Sequence, residues 1–197
     1  MARLARPFFA RDTVAVAHDL LGKRLVRVLA GQRLSGLISE TEAYRGADDQ
    51  ASHAYRLTPR SAIMYGPPGH AYVYLIYGRN YCLNMVTETA GLPGAVLIRG
   101  ILPDEGIETM RLRRGVRFPA SASPAVDARL TDGPGKVCQA LGIDLALNGA
   151  DLVTDSALYV EDVARIQGSD VRSGPRVGVR GDAETRLRPW RFQWRTS

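Results

Sequence analysis

Lysine is almost missing from this chain. Of 26 lysines and arginines only Lys23 and Lys136 are lysines, which leaves few amines for covalent catalysis through a Schiff base. The two cysteines, Cys82 and Cys138, stand alone. Neither belongs to a CxxC or CxxH cluster, which argues against a disulfide framework and a structural zinc site. The three histidines, His18, His53 and His70, show no metal-ligand spacing. No stretch approaches the roughly 20 apolar residues of a membrane span. The opening MARLARPFFARD holds no apolar run of signal-peptide length, so a cytoplasmic location is expected. Internal repeats are absent, GPGK (133–136) lacks the rest of a phosphate loop, and GVRGD (178–182) has no dinucleotide-binding context.

What is present points to one domain over residues 1–197. The 197 residues are 45% hydrophobic, and a chain of that length buries roughly 70% of its unfolded surface. The formal charge of +6 favours a polyanionic partner, through release of counterions. The preference for arginine suits bidentate phosphate contacts and base stacking; a genome-wide codon bias explains it equally well.

Residues 12–22 read as a short amphipathic helix, with Asp12 as N-cap and Gly22 beyond its end. Strand patterns follow over 23–30 and 33–44, joined by a Gly-Gln turn. After an irregular stretch over 45–70, residues 71–77 and 81–87 form a hairpin pattern about Gly78-Arg79-Asn80. A buried strand over 94–102 leads to a helix from Asp104 to Arg114, with acids in its first turn and arginines in its last. Residues 116–131 have the composition of a mobile surface loop, and 133–142 resume as a helix. The remainder alternates short strands and turns. Hairpins with separate helices indicate an α+β fold.

Two clusters carry chemistry. Seven of the eight tyrosines lie between residues 44 and 81, and alternation puts Tyr72 and Tyr74 on one face of their strand. Tyr77 ends its strand beside a basic tip bearing Arg79; an aromatic there can wedge between base steps while the arginine meets phosphate. An ordinary half-buried hairpin with tyrosines on its wetter face fits the same pattern. In ISETEAY (38–44), alternation places Glu40, Glu42 and Tyr44 on one strand face. Two carboxylates side by side repel unless one is solvated, paired or catalytic. His53 follows close by, either structural or part of the same site. GPGK before a helix can hold one phosphate through Lys136 and helix amides, or simply start the helix.

Six segments occur in the order and at the spacing of one family: ETEAY at 40–44, SHAYRLTPR at 52–60, GPPGHAYVYLIYG at 66–78, LNMVT at 83–87, DGPGKVCQAL at 132–141 and RVGV at 176–179. Together they resemble the alkyladenine (3-methyladenine) DNA glycosylases, from about residue 5 to Trp194. The resemblance implies a compact single α+β domain with a curved antiparallel sheet, flanking helices and a protruding β-hairpin that enters the minor groove of DNA, with no metal or other cofactor. It implies that Glu42 activates the hydrolytic water, with Arg99 and the backbone carbonyl of Val177 holding that water. Tyr44, His53 and Tyr74 would line the pocket for a flipped base, Asn84 would screen out guanine's amino group, and Tyr77 would fill the vacated stack. Vertebrate members carry apolar or aromatic residues after the wedge, where this chain has Arg79 and Asn80.

A carboxylate at Glu42 suits purine release, which passes through an oxocarbenium-like sugar. Stacking of a cationic alkylated purine on aromatic rings adds about 0.5–2 kcal/mol per face. The expectation is a monofunctional, monomeric, nucleoid-associated hydrolase of damaged purines in duplex DNA, without lyase activity. The rivals are a non-catalytic lesion-binding module, which needs no carboxylate at 42, and a free-nucleoside hydrolase, which needs no wedge. A zinc deaminase would require His and Cys ligands the chain lacks.

Overall fold

The strand that organises the molecule is β2, Gln32–Tyr44. The computed structural model describes residues 1–116, 127–163 and 166–195. Its strands are β1 (Arg24–Leu29), β2, β3 (Ala71–Ile76), β4 (Asn80–Val86), β5 (Ala95–Glu105), β6 (Leu158–Glu161), β7 (Val171–Gly174) and β8 (Arg191–Trp194). The α-helices lying wholly within the described residues are α1 (Arg6–Phe9), α2 (Thr13–Asp19), α3 (Ile107–Arg114), α4 (Pro134–Leu141) and α5 (Ala183–Leu187).

The sheet runs β3-β4-β5-β2-β1-β6, with β8 joining β2 and β7 joining β8, and every pairing is antiparallel. β5 takes one edge of β2 over 35–44, so β1 and β8 share the other edge in succession, at 32–37 and 40–42. Register shifts in the β2–β5 pair fall at Ser35/Gly36, Ile38/Glu40 and Glu40/Thr41, and bulges of this kind bend a strand. At Gly36 a Cβ would lie 2.6 Å from the Leu102 carbonyl, so only glycine lets the strands approach there. The α+β class expected from the pattern is the one observed.

Alternation sorts the central strands onto two faces. Ala43, Ala71, Val73, Leu83, Met85, Val96 and Ile98 join the main core, with Phe9, Leu20, Leu141 and Phe192. On the other face, Tyr72 packs with Ala54, Met64, Val86 and Ala95 in a smaller cluster. The helix after β5 begins later than its composition suggested. Asp104 and Glu105 remain strand residues because Arg24 holds Asp104 and Arg33 holds Glu105, and Gly106 (φ 73°) makes the turn into α3. The first turn is Ala30-Gly31, both at positive φ, with Gln32 already in β2. Helix α5, read as strand and turn, is capped by the Asp182 side chain accepting from the Thr185 amide at 2.7 Å.

Most of the stretch expected as a surface loop, residues 117–126, lies outside the described residues. Its described end is packed: Leu130 and Thr131 are buried, and Asp127 pairs with Arg111.

Candidate active site

Even-numbered residues of β3 and β4 and odd-numbered residues of β5 meet on the face opposite the main core. They line a cavity of about 550 Å³ together with Tyr44, His53 and the 177–180 segment. Its wall includes Tyr72, Tyr74, Asn84, Leu97 and Arg99, and its rim includes Tyr77 and Pro134. That volume lies in the range of small-molecule sites.

Glu42 is fully buried just behind the cavity wall, held by Tyr44, Arg99 and Val177, which line it. Its two oxygens are separately addressed. The Val177 amide donates to Oε1 at 2.7 Å, and the Tyr44 hydroxyl donates to Oε2 at 2.7 Å. Arg99 lies 3.4 Å from each oxygen, through Nε and Nη1. Burial, and then the Glu42 carboxylate, push the Tyr44 phenol well above its ordinary range, so it stays protonated and remains a donor. Glu40 accepts from Arg99 Nε at 2.8 Å and from Arg191 Nε at 2.6 Å. The repulsion expected between the two carboxylates is thus offset by guanidinium groups from β5 and β8.

The aromatic wall is tightly built. The His53 ring meets Tyr74 edge-on at 4.7 Å, and Tyr72 lies 5.2 Å from Tyr74. The buried Tyr72 hydroxyl is 2.9 Å from His53 Nδ1 and accepts from Arg60 Nε at 3.3 Å. By surface area His53 is exposed on the cavity wall. Desolvation among the rings, then the charge of Arg60, lower its pKa from 6.5 to about 4, so it is neutral at physiological pH. Asn84, buried on β4, donates through Nδ2 to the Tyr72 carbonyl at 3.1 Å. Its side chain is therefore fixed in the wall.

The hairpin tip differs by one residue from the sequence reading. Its turn residues are Tyr77-Gly78-Arg79, and Asn80 already belongs to β4. The Arg79 amide donates to the Ile76 carbonyl at 3.2 Å across Tyr77 (φ 51°) and Gly78 (φ 66°). Two left-handed residues in succession match the mirror-image turns that hairpins prefer. Tyr77 is 89% exposed, and Arg79, two residues on, is exposed as well. Immediately after the tip turn, Asn80 packs on Gly135 in the first turn of α4. Lys136 does not reach the cavity; its Nζ binds Asp132 at 2.6 Å.

The structure therefore brings together Glu42, Arg99, Val177, Tyr44, His53, Tyr74 and Asn84, with Tyr77 at the mouth. It leaves Lys136 outside and Arg79 at the tip. Sequence reasoning did not single out Arg60, Tyr72, Asp49 and Arg176. Strand alternation did put Tyr72 on the face of Tyr74, and Arg176 opens the RVGV segment. Nothing local in the sequence marks Arg176 as buried against Asp49, 127 positions earlier. Among the described residues no cluster of three or more His, Cys, Asp or Glu is arranged to hold a metal ion, and no helix is long and apolar enough to cross a membrane.

A buried, donor-bound carboxylate beside an aromatic cavity is an arrangement with room for a flat ring next to an acid–base group. The chain belongs to the methylpurine-DNA glycosylase family, whose model matches residues 7–197. It is 45% identical over 194 residues to a protein of Desulfitobacterium hafniense, covering 98% of this chain and 95% of that one. It is 48% identical over 193 residues to one of Methanocella arvoryzae, covering 98% and 92%. Both carry the name "Putative 3-methyladenine DNA glycosylase".

Proposed function

We propose that this protein is a monofunctional DNA glycosylase of base-excision repair, which flips an alkylated or deaminated purine out of duplex DNA and hydrolyses its N-glycosidic bond. The observation that carries the reading is the Glu42 carboxylate, buried among three donors that line an aromatic cavity whose mouth bears the exposed Tyr77.

In this reading Tyr77 occupies the gap left by the flipped nucleotide, and Arg79 meets DNA phosphate. Lys136 meets phosphate only by exchanging its partner Asp132. The base stacks among Tyr44, His53 and Tyr74, while Asn84 excludes bases that carry the exocyclic amino group of guanine. A neutral His53 adds no positive charge beside a cationic purine, which preserves the cation–π attraction of the tyrosines. Water is held by Glu42, Arg99 and the Val177 carbonyl. Its oxygen bonds to C1′ as the C1′–N9 bond breaks, the bond pair leaves with the base, and the water proton passes to Glu42. The carboxylate also stabilises the positive charge that develops on the sugar.

Lyase chemistry needs an amine nucleophile. Lys136 is bound to Asp132, Lys23 is 2.5 Å from Asp162, and neither lines the cavity. The product is therefore an intact strand with an abasic site. The partner is duplex DNA, the protein acts as a monomer close to the nucleoid, and no cofactor takes part. The test is incubation with duplexes containing hypoxanthine, ethenoadenine or methylated purines, followed by separate measurement of free base and strand breaks. Base release with strands intact until alkali is added supports the proposal. Lesion binding without release from any duplex refutes it in favour of a binding module.

A further inference from the structure

The Arg176 side chain is as deeply buried as that of Glu42, and like it lies behind the cavity wall. Its side chain and that of Asp49 are both fully enclosed. Nη1 donates to the Ala43 carbonyl at 2.9 Å and to Asp49 Oδ2 at 2.5 Å. Nη2 donates to Asp49 Oδ1 at 2.8 Å and to the Thr185 carbonyl at 3.2 Å. One guanidinium thus ties the end of β2, the loop that follows it and helix α5 to the 176–180 segment. Its flat face also lies 4.8 Å from the centre of the Tyr44 ring and 5.1 Å from that of Trp190. Asp49 is held in turn by the amides of Arg45 and Ala51.

A buried ion pair is weak evidence for stability, because desolvation consumes much of its Coulomb energy. What it supplies well is fixed geometry, since a bidentate fork allows one orientation. The two groups beside Arg176 are two of the three donors that address Glu42, the third being Arg99. Val177 is its covalent neighbour, and Tyr44 lies under its guanidinium. We infer that Arg176, clamped on Asp49, is the positioning residue for Glu42, setting the Val177 amide on Oε1 and the Tyr44 hydroxyl on Oε2 so that the carboxylate faces C1′. This inference rests on the proposal that Glu42 activates water.

The discriminating readout is the pH dependence of single-turnover base release. The groups facing Glu42 are Tyr44 and Glu40 on β2, Cys82 on β4, Arg99 on β5 and the Val177 amide, with Arg191 on β8 reaching it through Glu40. Arg176→Lys keeps the charge opposite Asp49 but cannot hold all four acceptors. It lowers the single-turnover rate by about 10- to 100-fold, as displacements on the 1 Å scale do, while affinity for lesion duplex is retained. It also moves the acid limb of the profile to higher pH, because a carboxylate that loses donors holds its proton more tightly. A change in rigidity alone does not move that limb. Asp49→Glu, which keeps both charges and lengthens the bridge by one methylene, is the companion should the lysine variant not fold, and it shifts rate and limb in the same directions. A folded variant with wild-type rate and acid limb overturns the inference, as does a rate loss fully explained by weaker lesion binding. Glu42→Gln run alongside separates the claims. If it keeps its rate, the assignment of Glu42 fails; if it is inactive while the folded Arg176 variant is unchanged, only the clamp fails.

Discussion

Replacing Tyr77 by asparagine should make the protein more stable and less active. Tyr77 has φ 51° and is 89% exposed, followed by Gly78 at φ 66°. An L-residue in the left-handed region pays about 1–2 kcal/mol, from which asparagine is partly exempt, and Asn-Gly is a preferred pair for this turn. With so little of the tyrosine buried, Tyr77→Asn gives up little packing and recovers up to about 1 kcal/mol of strain. On DNA the balance reverses. Base–aromatic stacking is worth about 1–3 kcal/mol, so the flipped state loses about 5- to 150-fold in population, at 1.4 kcal/mol per factor of ten. Urea unfolding reads the first effect, and single-turnover excision from a hypoxanthine duplex reads the second. Wild-type excision and lesion affinity in Tyr77→Asn would refute the wedge. A clear loss of stability would refute the argument that the turn is strained.

Asp49→Asn leaves the Arg176 charge unpaired in a fully buried setting and should cost about 3–5 kcal/mol, seen as a lowered urea midpoint. His53 is neutral in the fold down to about pH 4, whereas its unfolded counterpart takes up a proton near 6.5. Its contribution to stability is complete above pH 6.5 and is lost as pH falls toward 4. His53→Asn should flatten the stability–pH curve in that window, measured by unfolding midpoints. Arg79→Ala removes one exposed cation at the tip. The slope of log affinity against log salt for duplex DNA should shrink by about 0.9.

Legibility in the sequence followed the range of the physics. Period-2 alternation is local, so the β3–β4 hairpin and the shared face of Glu40, Glu42 and Tyr44 could be read directly, as could the Asp12 cap of α2. Where a tertiary partner decides, local reading failed. Asp104 looks like the start of a helix until Arg24 pins it in a strand. The tip shifted by one residue because a tyrosine accepts positive φ, a choice composition does not favour. Tyr72 was placed on the correct face, but its link to His53 and Arg60 needs a loop whose path no periodicity encodes. The pairing of Arg176 with Asp49 spans most of the chain and is invisible to any local pattern.

The central claim is that Glu42 activates the water that releases the base. Single-turnover base release by Glu42→Gln, compared with wild type on a hypoxanthine or methylated-purine duplex, tests it most directly. The account predicts collapse of release with lesion binding intact. Release by the folded variant at the wild-type rate would contradict it.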